Sequence, residues 1–262
     1  MKLFFRHFGQ GDPLIILHGL FGISDNWVTV GKRLAEDFDV YIPDLRNHGQ
    51  SLHSPVFTIP ALVEDLLDFT KENKLKNFGL MGHSLGGLTS MQFAIENPHL
   101  VKKIIVVDIS LRKQHNYNDH FQLINAMLDV DFTGVTKRSD VEKQLIQKIG
   151  SPRLRNFLLK NVYWRDKKSL DWRLNLNAIN DNLPMIYEGT SDDKKFIGPA
   201  LFIRGGLSDY IRDEDLDEIY NKFPLARIST IPNASHWVHA DAQEEFYRIV
   251  KGFLLSQELR NI

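Results

Sequence analysis

Short, continuously apolar runs recur along the chain, and amphipathic segments fill the spaces between them. The runs "PLIILHG" (13–19), "NFGLMG" (77–82) and "KKIIVVDIS" (102–110) have the length of strands buried on both faces and are too brief for buried helices. "MKLFFRHFG" alternates loosely, as an edge strand does, and "DVYIPDLRNHGQS" (39–51) reads as a strand running into a loop. "SDNWVTVGKRLAEDF" places Trp27, Val30 and Leu34 at helical spacing, with Ser24 as the expected N-cap. "TIPALVEDLLDFTKENK" sets Leu62, Leu66 and Phe69 on one helical face, and "LGGLTSMQFAIENP" predicts a further helix. Strand and helix alternate with short connections. That pattern predicts an α/β fold with a mostly parallel, doubly wound sheet.

The alternation stops between about Leu111 and about Lys195. This stretch has no apolar strand run; it holds helical patterns in "HFQLINAMLDV", "DVEKQLIQKIG", "LRNFLLKNVYW" and "WRLNLNAINDNL". Afterwards the alternation resumes with "PALFIRGG", "DEDLDEIYNKF", "ARISTIPNAS" and "AQEEFYRIVKGFLL". The expected organisation is one core domain, residues 1–110 and 196–262, with a helical cap inserted at 111–195.

Composition narrows the function classes. Apolar residues make up 43% of the 262 and charged residues 25%, a balance that supports a sizeable core. A formal net charge of −1 provides no basic field for nucleic acid or an anionic membrane. With no cysteine in the chain, thiolate catalysis, disulfides and cysteine-ligated metals are excluded. The first apolar run is too short for a signal-peptide core or a membrane span, so a cytoplasmic location is expected.

The candidate chemistry begins at "LMGHSLGG" (80–87), where an apolar strand meets Gly-x-Ser-x-Gly and then a helix. A plain turn would also use glycines, but a nucleophile held in a strained strand-to-helix turn requires them. Ser84 is the candidate nucleophile. Its hydroxyl needs a base, and His236 in "NASHWVHAD" follows the last expected strand. His239, three residues on, is expected to open the final helix or brace the site, and His18, His48 and His83 to serve as hydrogen-bonding loop residues. No histidine spacing suggests a metal site. Two carboxylates compete to orient the base: Asp209, in "GGLSDYI", and Asp108, in "VVDIS". Sequence order alone favours Asp209. Backbone N–H groups of Leu85, after the nucleophile, and Leu20, in "HGLFG" (18–22), are the candidate oxyanion donors. Phe121, Met127, Tyr163, Trp164 and Trp172 are candidates to roof an acyl pocket, although helical apolar residues more often pack into a core.

Together these residues resemble the α/β-hydrolase superfamily over nearly the whole chain. Within it, "HGLFG", "DLRNHGQS", "GHSLGG", "VVDIS" and "HWVHAD" resemble YbfF-type esterases. The resemblance implies the α/β-hydrolase fold, a helical cap over a Ser–His–Asp site, no cofactor, and a small-molecule acyl ester or acyl-CoA thioester as substrate. It also points to Asp108 as the acid, against the order argument for Asp209. The expected activity is that of a serine esterase working through an acyl-enzyme. The alternatives are a thioesterase, a carbon–carbon bond hydrolase, or a catalytically silent ligand-binding member. Serine at the elbow disfavours dehalogenases and epoxide hydrolases, which need aspartate there.

Overall fold

Residues 1–113, 118–188 and 193–256 are described by the computed structural model of the chain. A seven-stranded sheet forms the centre. Its strands are β1 (Phe5–Phe8), β2 (Asp12–Leu17), β3 (Phe38–Pro43), β4 (Phe78–His83), β5 (Val101–Val107), β8 (Ala200–Gly205) and β9 (Ala226–Ile231). Their spatial order is β1-β3-β2-β4-β5-β8-β9. Only β1 runs antiparallel, against β3, and it is an edge strand; every other pairing is parallel.

The apolar runs are continuous because both faces of the sheet are covered. Leu17, Leu80, Ile104, Val106 and Phe202 pack on the face that carries α2 (Ile59–Glu72), α3 (Leu85–Glu96) and α8 (Leu216–Lys222). Leu14, Ile16, Met81, Ile105, Val107 and Ile203 pack on the opposite face, against α1 (Val28–Leu34), α9 (Val238–Asp241) and α10 (Gln243–Leu255). Alternate residues along one strand thus enter two different cores.

Helix α2 starts where the sequence predicts, since the Thr58 hydroxyl accepts the Ala61 N–H at its first turn. Ser24 does not cap α1. It opens a single 3₁₀ turn, Ser24–Trp27, and its N–H donates to Asp44 instead.

Between β5 and β8 lie α4 (Asn118–Leu128), α5 (Arg138–Ile146), α6 (Pro152–Leu159) and α7 (Leu176–Ile186). The expectation of helices without strands is corrected by the structure. Val162–Trp164 and Leu170–Trp172 form β6 and β7, an antiparallel hairpin in which Val162 faces Trp172. These triplets are too short to give a strand signal, and Asp166 ties the turn by accepting the N–H groups of Lys168 and Ser169. The inserted segment shares the core of the sheet through Ile124, Met127, Leu158, Ile179 and Leu183. It is also tied to the loops at the strand ends: Asn175 N–H donates to Asn47 C=O at 3.0 Å, and the Asn182 amide donates to Pro55 C=O at 3.0 Å.

Candidate active site

Ser84 follows the last residue of the central strand β4 and directly precedes α3, with φ 52° and ψ −119°. A serine in that left-handed region is strained and persists because its surroundings fix it. Its N–H donates to Val107 C=O and its C=O accepts the Leu88 N–H, so β5 and α3 hold the turn from both sides. The glycines around it are steric requirements. A Cβ on Gly82 would lie 2.1 Å from the Gly86 carbonyl oxygen, and one on Gly86 would lie 2.5 Å from that of Leu17.

Ser84 opens on a cavity of about 570 Å³, shared by His236, Leu20, His120, Phe157 and Trp237 among others. His236 stands in the loop between β9 and α9. Its Nδ1 lies 2.8 Å from Asp108 Oδ2, and its ring stacks on Tyr210 with centroids 3.9 Å apart. Its carbonyl accepts a hydrogen bond from His83 Nε2 at 2.9 Å. Asp108 follows β5 with φ 51° and is fully buried. Its Oδ1 accepts the Gly205 N–H at 2.9 Å, and its Oδ2 accepts the Ser208 hydroxyl as well as facing His236.

Of the two competing carboxylates, the structure brings Asp108 to the histidine and leaves Asp209 exposed. The reason is local. After β8 the chain closes a tight turn, with Ser208 N–H on Gly205 C=O, which directs the Ser208 side chain inward to Asp108. The next residue, Asp209, is left on the outside, and its backbone carbonyl takes a bond from Arg112.

Leu20 lines the same cavity as Ser84, and Leu85 directly follows Ser84. Leu85 is the first residue of α3, so its N–H has no intrahelical acceptor. In the loop after β2, Phe21 N–H donates to His48 Nε2 and Gly22 N–H to Gly19 C=O, so neither of these amides is free to receive an oxyanion.

The other histidines are structural parts of this end of the sheet. His18 Nε2 accepts Leu45 N–H and its Nδ1 bonds Gly19 C=O, and burial lowers its pKa to about 4. Burial lowers His48 to about 3, and takes His83 well below the ordinary value, reinforced there by the neighbouring His236 and His239. His239 does not open the final helix; it lies in α9, stacks on Trp27 at 4.1 Å and is held neutral by burial, with its pKa lowered to about 3. A histidine whose folded pKa lies below its unfolded value of 6.5 stabilises the fold fully above pH 6.5 and loses that contribution as pH falls towards the folded pKa. Each such group contributes up to about 1.4 kcal/mol per pH unit in that window. The melting temperature should therefore hold from pH 8 to 7 and drop steeply between pH 6.5 and 4, which a series of thermal melts would read directly.

The aromatic residues proposed from sequence to roof the pocket do not line it. Met127 and Trp172 are buried in the core, where Trp172 Nε1 donates to Met127 C=O, and Trp164 is exposed in the hairpin. Phe121 packs against the core and Tyr163 lies in β6 under the Arg173 guanidinium. The apolar residues with which the segment between β5 and β8 reaches the cavity are Leu123, Leu154 and Phe157, beside polar ones such as His120 and Lys160. Ser208, Tyr210 and His120 were missed as well. Ser208 and Tyr210 carried a signal, since both adjoin the acidic candidate Asp209; His120 carried none.

The chain matches the alpha/beta hydrolase fold family over residues 12–243. It belongs to that family. This hydrolase is 37% identical over 254 residues to the sn-1-specific diacylglycerol lipase ABHD11 of Danio rerio, covering 94% of the chain and 80% of that protein. It is 30% identical to Esterase YbfF of Escherichia coli (strain K12), with 94% of each covered. A solved structure described as a marine microorganism esterase superposes with a TM-score of 0.93 at 40% identity, over 96% of this hydrolase and 99% of that chain. By this kinship the hydrolase is a carboxylic ester hydrolase of the esterase/lipase kind. No helix among its described residues is long and apolar enough to cross a membrane.

Proposed function

We propose that the protein is a serine esterase in which Ser84 attacks the acyl carbonyl and His236 takes its proton. His236 then protonates the leaving alcohol, and water activated by the same imidazole hydrolyses the acyl-enzyme. Asp108 accepts the Nδ1–H of His236, which leaves Nε2 as the basic nitrogen and supports the imidazolium that forms. The Leu20 and Leu85 N–H groups receive the oxyanion, aided by the positive end of α3. One observation carries this reading: the strained Ser84 opens on the same cavity as His236, whose Nδ1 meets the buried Asp108 behind it.

The inserted segment acts as a cap in this proposal, with Leu123, Leu154 and Phe157 forming the apolar wall for the acyl group. A cavity of about 570 Å³ is of the size that encloses a small ligand. The relatives' names, a diacylglycerol lipase and an esterase, favour ester bonds over other bonds, the first of them lipid esters. A cytoplasmic location belongs to the same proposal and rests on the cysteine-free composition.

The test combines a fluorophosphonate probe with p-nitrophenyl esters and acyl-CoAs of graded length. Covalent labelling at Ser84 with turnover of esters is expected; intact protein that neither labels nor hydrolyses any ester would sink the reading, and faster turnover of acyl-CoAs would redirect it to thioesters. Phe157→Ala should lengthen the preferred acyl chain by two or more carbons while the labelling rate stays within about twofold, because the change is remote from the attack geometry. Trp172→Ala should leave the chain-length profile alone and destabilise by about 3–5 kcal/mol, the range for deleting a buried tryptophan. Urea melts and the ester panel separate the two.

A further inference from the structure

We propose that Asn161 and His48 are positioning residues for the oxyanion hole, clamping Phe21 from both sides so that the preceding Leu20 N–H points over Ser84. The inference rests on the esterase reading above. Phe21 has φ 60°, a left-handed conformation that a bulky residue adopts only when held there. Both of its backbone polar groups are held. Its N–H donates to His48 Nε2 at 3.2 Å, and its C=O accepts from Asn161 Nδ2 at 2.8 Å.

Each partner is itself fixed. His48 Nδ1 lies 2.9 Å from Arg46 C=O, so that nitrogen carries the proton and Nε2 is the acceptor Phe21 needs. Burial lowers the His48 pKa to about 3, which keeps this tautomer neutral throughout the working range. Asn161 is fully buried, and its Nδ2 also lies 3.3 Å from Leu158 C=O. The reverse amide orientation would set Oδ1 against two carbonyl oxygens, so the donor faces Phe21. The main chain of Asn161 is anchored too, donating to Leu158 C=O and accepting from Arg173 N–H.

A second observation points the same way. Asn161 Oδ1 is buried and has no hydrogen-bond partner. An unsatisfied buried oxygen is destabilising, and an apolar residue in its place would avoid that cost. The chain retains the amide where its other end reaches the loop that bears Leu20. Loss of the clamp would let Phe21 relax towards negative φ, which rotates the Leu20 peptide away from the elbow.

The clamp also links two parts of the molecule. Asn161 follows α6, and Leu154, Phe157 and Lys160 of that stretch line the cavity. The wall that meets the acyl group and the support of the oxyanion donor are therefore one short piece of chain, so the inserted segment contributes to the rate as well as to selectivity.

The test starts from the parent enzyme, shown active on a p-nitrophenyl ester and labelled at Ser84. Asn161→Ala should lower kcat about 10- to 100-fold, less than the 10²–10³ for deleting an oxyanion donor outright, with KM within about threefold. Affinity for a trifluoromethyl ketone, which forms the tetrahedral adduct, should fall in proportion to kcat/KM, while affinity for the product carboxylate stays unchanged. A role in folding alone would lower the melting temperature without that proportionality. Asn161→Leu keeps about the same size, removes the donor and should behave alike. If either variant fails to fold, the His48 pair decides: His48→Gln, which can still accept the Phe21 N–H, should recover at least about tenfold in kcat over His48→Phe. Folded Asn161 variants with kcat within twofold of the parent, or with undiminished ketone affinity, would overturn the proposal. A parent that neither labels nor turns over ester would overturn the esterase reading itself, a separate result.

Discussion

Ser84→Ala is expected to lower kcat for ester hydrolysis by about 10⁴–10⁶ while the protein melts within about 2 °C of the parent. The size follows from the chemistry. Without Oγ no acyl-enzyme forms, and His236 acting on water in a site shaped for serine attack retains only what the oxyanion donors and substrate binding provide. The small effect on stability follows from the backbone. Alanine keeps the Cβ that already tolerates φ 52° at this position, and the Ser84 N–H and C=O keep their bonds to Val107 and Leu88. Fluorophosphonate labelling should vanish in parallel. A variant retaining more than a tenth of the parental kcat would show that another group performs the attack.

The second large effect concerns the acid. Asp108→Asn should lower kcat by up to about 10⁴, and Asp209→Asn by less than about threefold. Asp108 accepts three hydrogen bonds, from His236, the Gly205 N–H and the Ser208 hydroxyl. An asparagine keeps one acceptor oxygen. If that oxygen stays on Gly205, the NH₂ group faces His236 and donates to Nδ1, which moves the imidazole proton to Nε2 and removes the base. If it faces His236 instead, the NH₂ group meets the Gly205 N–H, and two donors oppose each other in a fully buried site. Both arrangements cost stability, so the Asp108→Asn melting temperature should also fall by several degrees, while that of Asp209→Asn, on the exposed side of its turn, should not. Steady-state kinetics with thermal melts on both variants checks this. Equal losses, or a larger loss at Asp209, would remove Asp108 from the role.

Much of this molecule is legible in its residue pattern. The central strands β2, β4, β5 and β8 can be read because each is buried on both faces, which forces uninterrupted apolar residues such as Leu14–Leu17 and Ile104–Val107. The elbow can be read because its constraint is steric and lies within five residues, Gly82 to Gly86. His236 can be read from its place after the last strand.

Other features are decided by contacts between segments far apart in the chain. Asp108 and Asp209 both follow strands that neighbour each other in the sheet, β5 and β8, so strand order cannot rank them. The turn after Gly205 does, by sending Ser208 inward and Asp209 outward. The hairpin inside the inserted segment leaves no trace in the pattern because three-residue strands carry no periodicity. The cavity wall is hidden for a related reason. Trp172 and Phe157 are both large aromatic residues of the same segment, and nothing local distinguishes them. Packing assigns Trp172 to the core and Phe157 to the cavity. The sequence by itself determined the sheet and the strained turn at Ser84, because burial on two faces and backbone strain impose residue types at fixed short spacings. Only the tertiary structure decided which carboxylate meets His236, which residues line the cavity, and the bonds of Asn161 and His48 to Phe21, because a hydrogen bond between distant segments depends on direction, and direction is set by how those segments pack.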